Sequence, residues 1–528
     1  MQPAKNWTNS SKLAPGVGAS PRWRIPVAEA RRRVRAWLLA LACGSIPCTV
    51  WGAAPAPLTL EAAVGLAMEN SYRIRELKLG VRRSRLYLKA RQAQLKSSVS
   101  MDLVVPQFEG VSDYKWNSNL RRNEIVRQNT RLWEMGLSVS QPLVLFGTPT
   151  DGYLSLNSRI NRYDQAEGDD DISSYYNRHY LQFEQPLFRP NELRNDLEEA
   201  ELSLEREDLE FLEDQVELID DVADQFYDVL AVAQQEEVLA ADVEVLEDLL
   251  TAARDRADRD SLRHMETVQV QIELENAKEA LRANQRDQRV ESDRLRQRIG
   301  MEEGQPIDVE ASTRLTPLEV DLDEALGYGL SLRPAMRLHD ISIREQEIDV
   351  ENTKGDGGPH VDLEMTYGLE KQDEGLRQLW DQYDNSYSVG VRVSLPVWDW
   401  GRRQAEVEAE RLGLRETELR KTETQESIAQ EIVNAVTDLL EFQRRTLSMR
   451  ENSARARQMM RVSAEQYRQG RLSLQDALRA ASTQKETDLA FLDAYLGYRR
   501  AVLNLAVVTH FDFETGAPLL DRLTPDPG

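Results

Sequence analysis

Cysteine is nearly absent from this chain of 528 residues, which has only Cys43 and Cys48. Both lie before residue 55. A mature protein from which residues 1–54 had been removed would therefore have no disulfide, whatever the redox state of its compartment. Aromatic residues are also few, at 7%, whereas charged residues make up 30% of the chain. This balance indicates a large solvated surface rather than several compact cores.

Positive charge is in deficit, with 66 Lys and Arg against 90 Asp and Glu, and the formal net charge is -24. A surface that binds nucleic acid along its length carries an excess of positive charge, so we expect no nucleic-acid partner. Motifs of enzyme chemistry are lacking as well: the five histidines have no metal-ligand spacing, and the sequence has neither a Gly-rich phosphate loop nor a nucleophile elbow. Carboxylates are spread along the whole chain and single out no catalytic pair. We therefore predict a protein that is not an enzyme, with no catalytic residue, metal or cofactor.

The first 54 residues have the layout of an export signal. Arginines at 31, 32, 33 and 35 precede an apolar stretch that begins at Ala36, and small residues follow at 52 to 54. The apolar stretch is shorter than the roughly 20 residues that a membrane-spanning helix needs. We predict that residues 1–54 are a signal peptide removed on export. The alternative is lipidation at Cys43, which ends the sequence "LALAC".

The chain contains an internal repeat. The segment "LEAAVGLAMENSYRIRELKLGVRR" from Leu60 aligns without a gap on "LDEALGYGLSLRPAMRLHDISIRE" from Leu322, at an offset of 262. Farther on, "RADRDSLRH" from Arg256 matches "RQGRLSLQD" from Arg468 at an offset of 212, so the first copy holds an insertion, which falls between residues 102 and 186. We predict a first repeat at 55–300, a linker at 301–320, a second repeat at 321–512 and a C-terminal tail at 513–528.

Each repeat is predicted to contain a helix, strands, a very long helix, a tight turn and a further helix. Between Asn191 and Arg256 there is no proline or glycine, and apolar residues advance by alternating steps of three and four, as in a coiled coil. A segment of this length would reach about 100 Å as a helix. The positions concerned are Leu209, Leu212, Val216, Ile219, Ala223, Phe226, Leu230 and Ala233 in the first copy, and Ile428, Ile432, Ala435, Leu439, Phe442, Thr446, Met449, Ser453, Ala456, Met460, Ser463 and Tyr467 in the second.

Strands with one apolar face precede the long helices. "VDLEMTYGLE" at 361–370 alternates apolar and polar residues, and the first repeat has similar runs at 99–105 and 133–139. Such strands suit a membrane barrel with a polar lumen. The alternative is a soluble sheet packed on helices, but the export signal favours the barrel. The segment "SYSVGVRVSLPVW" is the clearest strand, and its predicted lipid-facing residues are Tyr387, Val389, Val391, Val393 and Leu395.

The order and duplication of these motifs resemble the TolC-type outer-membrane factors, also called outer membrane efflux proteins, from Leu58 to about Phe513. The resemblance implies a mainly α fold with membrane β: long coiled-coil helical hairpins form an α-barrel tunnel, and a homotrimer completes a β-barrel. It also implies an outer-membrane channel with a periplasmic extension, used for efflux of small molecules or for type I secretion. The implied partners are further copies of the chain, a periplasmic adaptor, an inner-membrane pump and outer-membrane lipid. The alternative is a periplasmic coiled-coil adaptor or scaffold without a channel.

The first repeat departs from the two strands per repeat that the resemblance implies. Both "GLSVSQPLVLFG" at 136–147 and "QFEQPLFRP" at 182–190 look like strand ends, which predicts an extra hairpin within residues 103–185. This hairpin either widens the barrel or folds over its mouth. At the equivalent end of the last strand, Trp398 and Trp400 suit a membrane interface, and ordinary packing at a strand-helix junction is the alternative.

The resemblance also assigns roles to the two tight turns, at 256–262 and 468–474. They are expected at the periplasmic tip, where the adaptor docks, with Asp258, Ser261, Gly470 and Ser473 as tip residues. A helix cap is the alternative for both serines. A pore constriction is expected from Tyr467 and Asp476, with Arg471 and Arg479 beside them, although Leu472 occupies the place of the family's arginine. The alternative for Asp476 is stabilisation of the first turn of the last helix.

Overall fold

The computed structural model describes residues 57–117, 121–167, 170–259, 264–302, 307–310 and 316–523. The predicted signal peptide, Cys43 and Ser261 therefore lie outside the described residues.

Each repeat opens with two helices instead of the single helix predicted. They are α1 (Leu60–Asn70) and α2 (Tyr72–Gln94) in the first repeat, and α5 (Leu322–Leu332) and α6 (Ala335–Asp356) in the second. Ser71 separates the first pair, because its backbone is extended and its hydroxyl accepts a hydrogen bond from the Ile74 amide at 3.2 Å. In the second pair Pro334 forces Arg333 out of the helical region. The prediction of a single helix at the start of each repeat was therefore wrong.

Six strands form one antiparallel sheet within the described residues. They are β1 (Ser98–Asn117), β2 (Arg122–Leu145), β3 (Thr148–Glu167), β4 (Asp170–Leu187), β5 (His360–Asp373) and β6 (Asp384–Ser394), and they pair in sequence order. The insertion of the first repeat is thus the hairpin β2–β3, which lies in the middle of the sheet rather than over one of its ends. A turn of 3-10 helix at Gln378–Trp380 lies in the connection between β5 and β6.

Two long helical hairpins follow the strands. The first consists of α3 (Glu192–Arg259) and α4 (His264–Ile299), and the second of α7 (Arg402–Arg468) and α8 (Leu474–Thr509). At 68 and 67 residues, α3 and α7 each run for about 100 Å. The predicted seam is confirmed in α7, where nine of its twelve positions are buried: Ile428, Ile432, Ala435, Leu439, Thr446, Ser453, Ala456, Met460 and Tyr467.

The helices lie side by side in two tiers. Next to the sheet the order is α2, α3, α6, α7, and toward the tight turns it is α4, α3, α8, α7. Three apolar clusters run along these contacts, one of them close to the turns. No helix among the described residues has an apolar stretch long enough to cross a membrane.

The segment after the last long helix is ordered and packs back onto the repeat. It forms the short pair β7 (Phe511–Asp512) and β8 (Ala517–Pro518) and the helix α9 (Leu519–Leu523). Leu519 is 1% exposed in the cluster that joins α1, α3 and α4. The predicted C-terminal tail is therefore part of the fold as far as residue 523.

Candidate functional site

One face of the sheet carries a continuous row of apolar side chains. Val139 pairs with Val99 on one side and Leu156 on the other, and the row continues through Leu181, Tyr367 and Tyr387. Six strands therefore contribute to one apolar band. The predicted lipid-facing residues of β6 and its extension, Tyr387, Val389, Val391, Val393 and Leu395, are 81%, 69%, 62%, 56% and 62% exposed.

The opposite face of the sheet is polar and cross-linked by side chains. Ser138 donates to Asn157 at 2.7 Å between β2 and β3, and Tyr176 donates to Glu370 at 2.6 Å between β4 and β5. In β6 Arg392 lies on this face, opposite Asp362. The two faces thus differ in chemistry as the sequence predicts, with water-compatible groups on one side and uncovered apolar groups on the other.

Exposed aromatic residues mark the helix-side ends of β2, β4 and β6. Phe146 follows β2 and Phe188 follows β4, and both have positive φ angles, of 53° and 66°. After β6, Trp398 and Trp400 meet edge to face with ring centroids 5.5 Å apart. The exposed fractions are 106% for Phe146, 81% for Phe188, 74% for Trp398 and 88% for Trp400, so these rings are not packed into the protomer.

The inserted hairpin is fixed to the start of α3, a contact that sequence reasoning missed. The carboxylate of Asp151 in β3 accepts hydrogen bonds from the backbone amides of Glu192 and Leu193, both at 2.7 Å. The side-chain oxygen of Asn191 accepts a third bond, from the Arg194 amide at 2.9 Å. These acceptors satisfy amides that a helix leaves free at its N-terminus. The sequence "NEL" at 191–193 signals the Asn191 cap, but it does not show that Asp151 reaches the same helix.

The sheet and the helix row both have uncovered ends. The outer edges of β1 and β6 have no strand partner among the described residues. The outermost helices next to the sheet, α2 and α7, each expose two leucines seven residues apart: Leu79 and Leu86 on α2, at 65% and 58%, and Leu412 and Leu419 on α7, at 58% and 66%. Seven residues is the spacing of a coiled-coil contact.

Near the tight turns, Tyr467 joins the two hairpins. Its ring is fully buried beneath the guanidinium of Arg256, 4.5 Å from the ring centroid, and Arg256 also donates to the Tyr467 carbonyl at 3.1 Å. The Tyr467 hydroxyl donates to Glu266 on α4 at 3.0 Å. In the protomer Tyr467 is therefore a link between hairpins and does not lie on a free surface. Arg256 and Glu266 were not predicted, because they are more than 200 positions away in the sequence.

The other predicted tip residues lie at the second turn and at the end of α3. Ser473 is the N-cap of α8: its hydroxyl accepts from the Asp476 amide at 3.2 Å and donates to the Asp476 carboxylate at 2.7 Å. Gly470 has a φ of 76°, which a glycine adopts without strain. The helix-cap geometry considered for Ser473 and Asp476 is thus present in the structure. Arg471, Arg479 and Asp258 are exposed.

An acidic cleft of about 530 Å³ lies where α3 passes the ends of α5 and α8. Burial raises the pKa of Asp220 to about 6, and the neighbouring carboxylates of Asp224 and Asp221 add to the rise. Across the cleft, burial and the charge of Arg333 lower the pKa of His510 to about 4. Among the described residues no group of three or more His, Cys, Asp or Glu side chains could hold a metal ion.

Comparison with known proteins places these features in a family and a fold. Residues 150–301 and 329–509 match the family model described as outer membrane efflux protein. CusC, VceC and MtrE are among the solved structures that resemble the chain. CusC is 13% identical with a TM-score of 0.64, and the match covers 85% of this chain and 91% of CusC. VceC from Vibrio cholerae is 15% identical with a TM-score of 0.62, and the match covers 88% of this chain and 95% of VceC. The open state of MtrE from Neisseria gonorrhoeae is 14% identical with a TM-score of 0.62, and the match covers 85% of this chain and 88% of MtrE. No curated protein gives a significant match.

Proposed function

Because the chain belongs to the outer membrane efflux protein family, whose members are outer-membrane channels rather than enzymes, we propose that it is the exit duct of a tripartite pump. The sheet spans the outer membrane and the helices extend into the periplasm. The cargo is small molecules, or proteins in a type I secretion system. One observation carries this proposal: a sheet with an uncovered apolar band is joined directly to helices about 100 Å long.

The duct is a ring of three copies. An open sheet edge in lipid would leave a row of backbone amides and carbonyls without partners, at a cost of several kcal/mol for each group. Since β1 and β6 run in opposite directions, β6 of one copy can pair antiparallel with β1 of the next. The exposed leucines of α2 and α7 lie at the same two ends of the protomer, so strands and helices close the same head-to-tail interface.

The adaptor docks at the helical tips. Beside the second turn lies a groove of about 730 Å³ between α3 and α7, and it exposes Arg457, Arg461 and Arg468 together with apolar Val245 and Ala464. A groove of mixed apolar and charged character suits a helical hairpin of a partner protein. Asp258, Gly470 and Ser473 lie at the same end, and the inner-membrane pump delivers cargo to the assembly from there.

Membrane fractionation followed by single-channel recording tests this function. We expect a heat-modifiable trimer in the outer-membrane fraction that needs detergent for extraction and forms conducting channels in planar bilayers. A periplasmic scaffold without a channel would instead be released by osmotic shock and would stay soluble without detergent. That result, or detergent-purified trimers that never conduct, would overturn the proposal.

A further inference from the structure

The two repeats contribute unequally to the sheet, with four strands from the first and two from the second. We propose that the hairpin β2–β3 is part of the barrel wall. Three copies then close a barrel of eighteen strands, in which β6 of each copy pairs with β1 of the next. This inference rests on the trimeric channel proposed above and defines the width of its membrane segment.

Pairing within the sheet is the first support. β2 pairs with β1 from Ser98 to Asn117, with one register shift between Val104 and Gln107, and β3 pairs with β4 from Tyr153 to Glu167 on the other side. The apolar band crosses the hairpin without a gap, because Val139 and Leu156 are direct partners within it. A hairpin that lay over the mouth of the barrel would expose this apolar face to water, whereas in the wall the face continues the apolar band of β6 and contacts lipid.

The helix-side end of the hairpin is the second support. β2 ends in the sequence "PLVLFG", with Pro142 near the end of the strand and an exposed aromatic residue at positive φ after it. β4 and β6 end in the same way, with Pro186 before Phe188 and Pro396 before Trp398 and Trp400. Exposed aromatic rings at a common level are typical of the membrane interface of a barrel. The three strands that run toward the helices, β2, β4 and β6, therefore each end in exposed aromatic residues.

The attachment to α3 is the third support. Asp151, three residues into β3, caps that helix with two hydrogen bonds, and Gln185 of β4 donates to the Thr150 carbonyl at 2.6 Å. The β2–β3 turn is thus held against the helices, at the opposite end of the strands from the β1–β2 and β3–β4 turns. A hairpin anchored there is built into the wall at the base of the barrel.

Width follows from strand number. With strands about 4.8 Å apart and tilted by about 40°, eighteen strands give a diameter of about 35 Å, and the twelve that two per repeat would supply give about 24 Å. Barrels of 16 to 18 strands leave a water-filled channel. The polar face of β2 and β3, with Ser138, Ser140, Ser155 and Asn157 joined in pairs, adds to the lining of that channel.

Single spin labels test the proposal. Cys43 and Cys48 are replaced by alanine, and one cysteine at a time is introduced in the full chain: Leu156→Cys and Asn157→Cys on β3, with Val391→Cys and Arg392→Cys on β6 as matched references. In reconstituted trimers we expect the labels at 156 and 391 to be reached by oxygen from the lipid, and those at 157 and 392 by a water-soluble nickel complex. Three equivalent labels at position 391, which lies in the wall in either case, should be about 30 Å apart in a barrel of eighteen strands, against about 21 Å in one of twelve.

The outcomes separate this inference from the proposed function. If trimers form and the label at 391 faces lipid, but the label at 156 does not, the hairpin lies outside the wall and the inference is wrong. A separation near 21 Å between the labels at position 391 would overturn it as well. If no trimer forms, or if position 391 does not face lipid, the channel proposal itself fails and this inference falls with it.

Discussion

Individual side chains near the tip stabilise the N-terminus of α8. Ser473 and Asp476 cap α8 through reciprocal hydrogen bonds, and the same carboxylate would form a ring of three charges in a trimer. The cap and the charge can be separated by experiment, because asparagine keeps the side-chain acceptor but removes the charge.

We expect Asp476→Asn to reduce the cation selectivity of channels in planar bilayers and to lower stability only by the charge at the N-terminus of α8, about 0.3–1 kcal/mol. Asp476→Ala should reduce selectivity equally and lower the melting temperature further, because it also removes the acceptor for the Ser473 hydroxyl. Reversal potentials in a salt gradient and thermal melts measure the two effects. If Asp476→Asn leaves the reversal potential unchanged, Asp476 acts only as a cap and the predicted constriction is wrong.

His510 and Asp220 predict opposite responses of stability to pH. The folded pKa of His510, about 4, is below the usual 6.5, so its contribution is present above pH 6.5 and is lost as the pH falls toward 4. His510→Asn, which suits the positive φ of 56° at this position, should therefore lose less thermal stability than the parent between pH 7 and pH 4.5. Equal losses in melts of both proteins would contradict the assignment.

Asp220 has the reverse sign. Its folded pKa, about 6, is above the usual 3.8, so the neutral form favours folding, and that contribution is lost as the pH rises through 6. We expect Asp220→Asn to raise the melting temperature at pH 7 and to change it little at pH 4. Asp221→Asn, on the same turn of α3 but more exposed, is the control and should have a smaller effect at pH 7.

Strands and helices differ in how far the sequence predicts them. The length of α3 follows from a long stretch without proline or glycine and that of α7 from a regular apolar seam, and both predictions are confirmed. The sequence also predicts which residues of β6 lie on each face of the strand, because side chains alternate between the two faces with a period of two. The position of β2–β3 could not be predicted, because alternation shows which way side chains point but not which strands are neighbours.

The candidate site is less predictable than the fold. Ser473 and Gly470 could be read from the turn sequence because their roles are local. Arg256, Glu266 and Asp151 could not, since each acts on a partner that folding alone brings near. The resemblance to outer-membrane factors, drawn from motif order and duplication, is confirmed by the family match over both repeats.

The facing of β6 predicts a contrast between adjacent positions. If Val391 faces lipid as proposed, Val391→Arg should cost roughly 2–4 kcal/mol near the bilayer midplane, so we expect fewer assembled trimers. Arg392→Ala, on the polar side, should assemble normally and change single-channel conductance. Unboiled gels of outer-membrane fractions and bilayer recordings measure the two outcomes. Equal assembly of both variants would refute the assigned faces.

The proposed trimer would be held together in part by the two ends of the helix row, α2 and α7. Burying a leucine side chain is worth about 1.5–3 kcal/mol, and each head-to-tail contact would bury leucines of α2 against those of α7. We expect Leu79→Glu or Leu419→Glu to shift the purified protein from trimer to monomer in measurements of mass in detergent. Gln92→Glu adds the same charge to α2 at a polar exposed position and should leave the trimer intact. Trimers that persist in both leucine variants would place the contact elsewhere.

Each protomer has six strands next to a row of four helices. The ratio of strands to helices determines how the diameter of the barrel compares with that of the helical tunnel. In a ring of three copies, twelve helices about 9 Å apart have a perimeter of roughly 110 Å. Eighteen tilted strands have nearly the same perimeter, also roughly 110 Å, whereas twelve would have about 75 Å. In such a ring the inserted hairpin would match the perimeter of the barrel to that of the tunnel, so the channel would not narrow where strands meet helices and any constriction would lie at the helical tips.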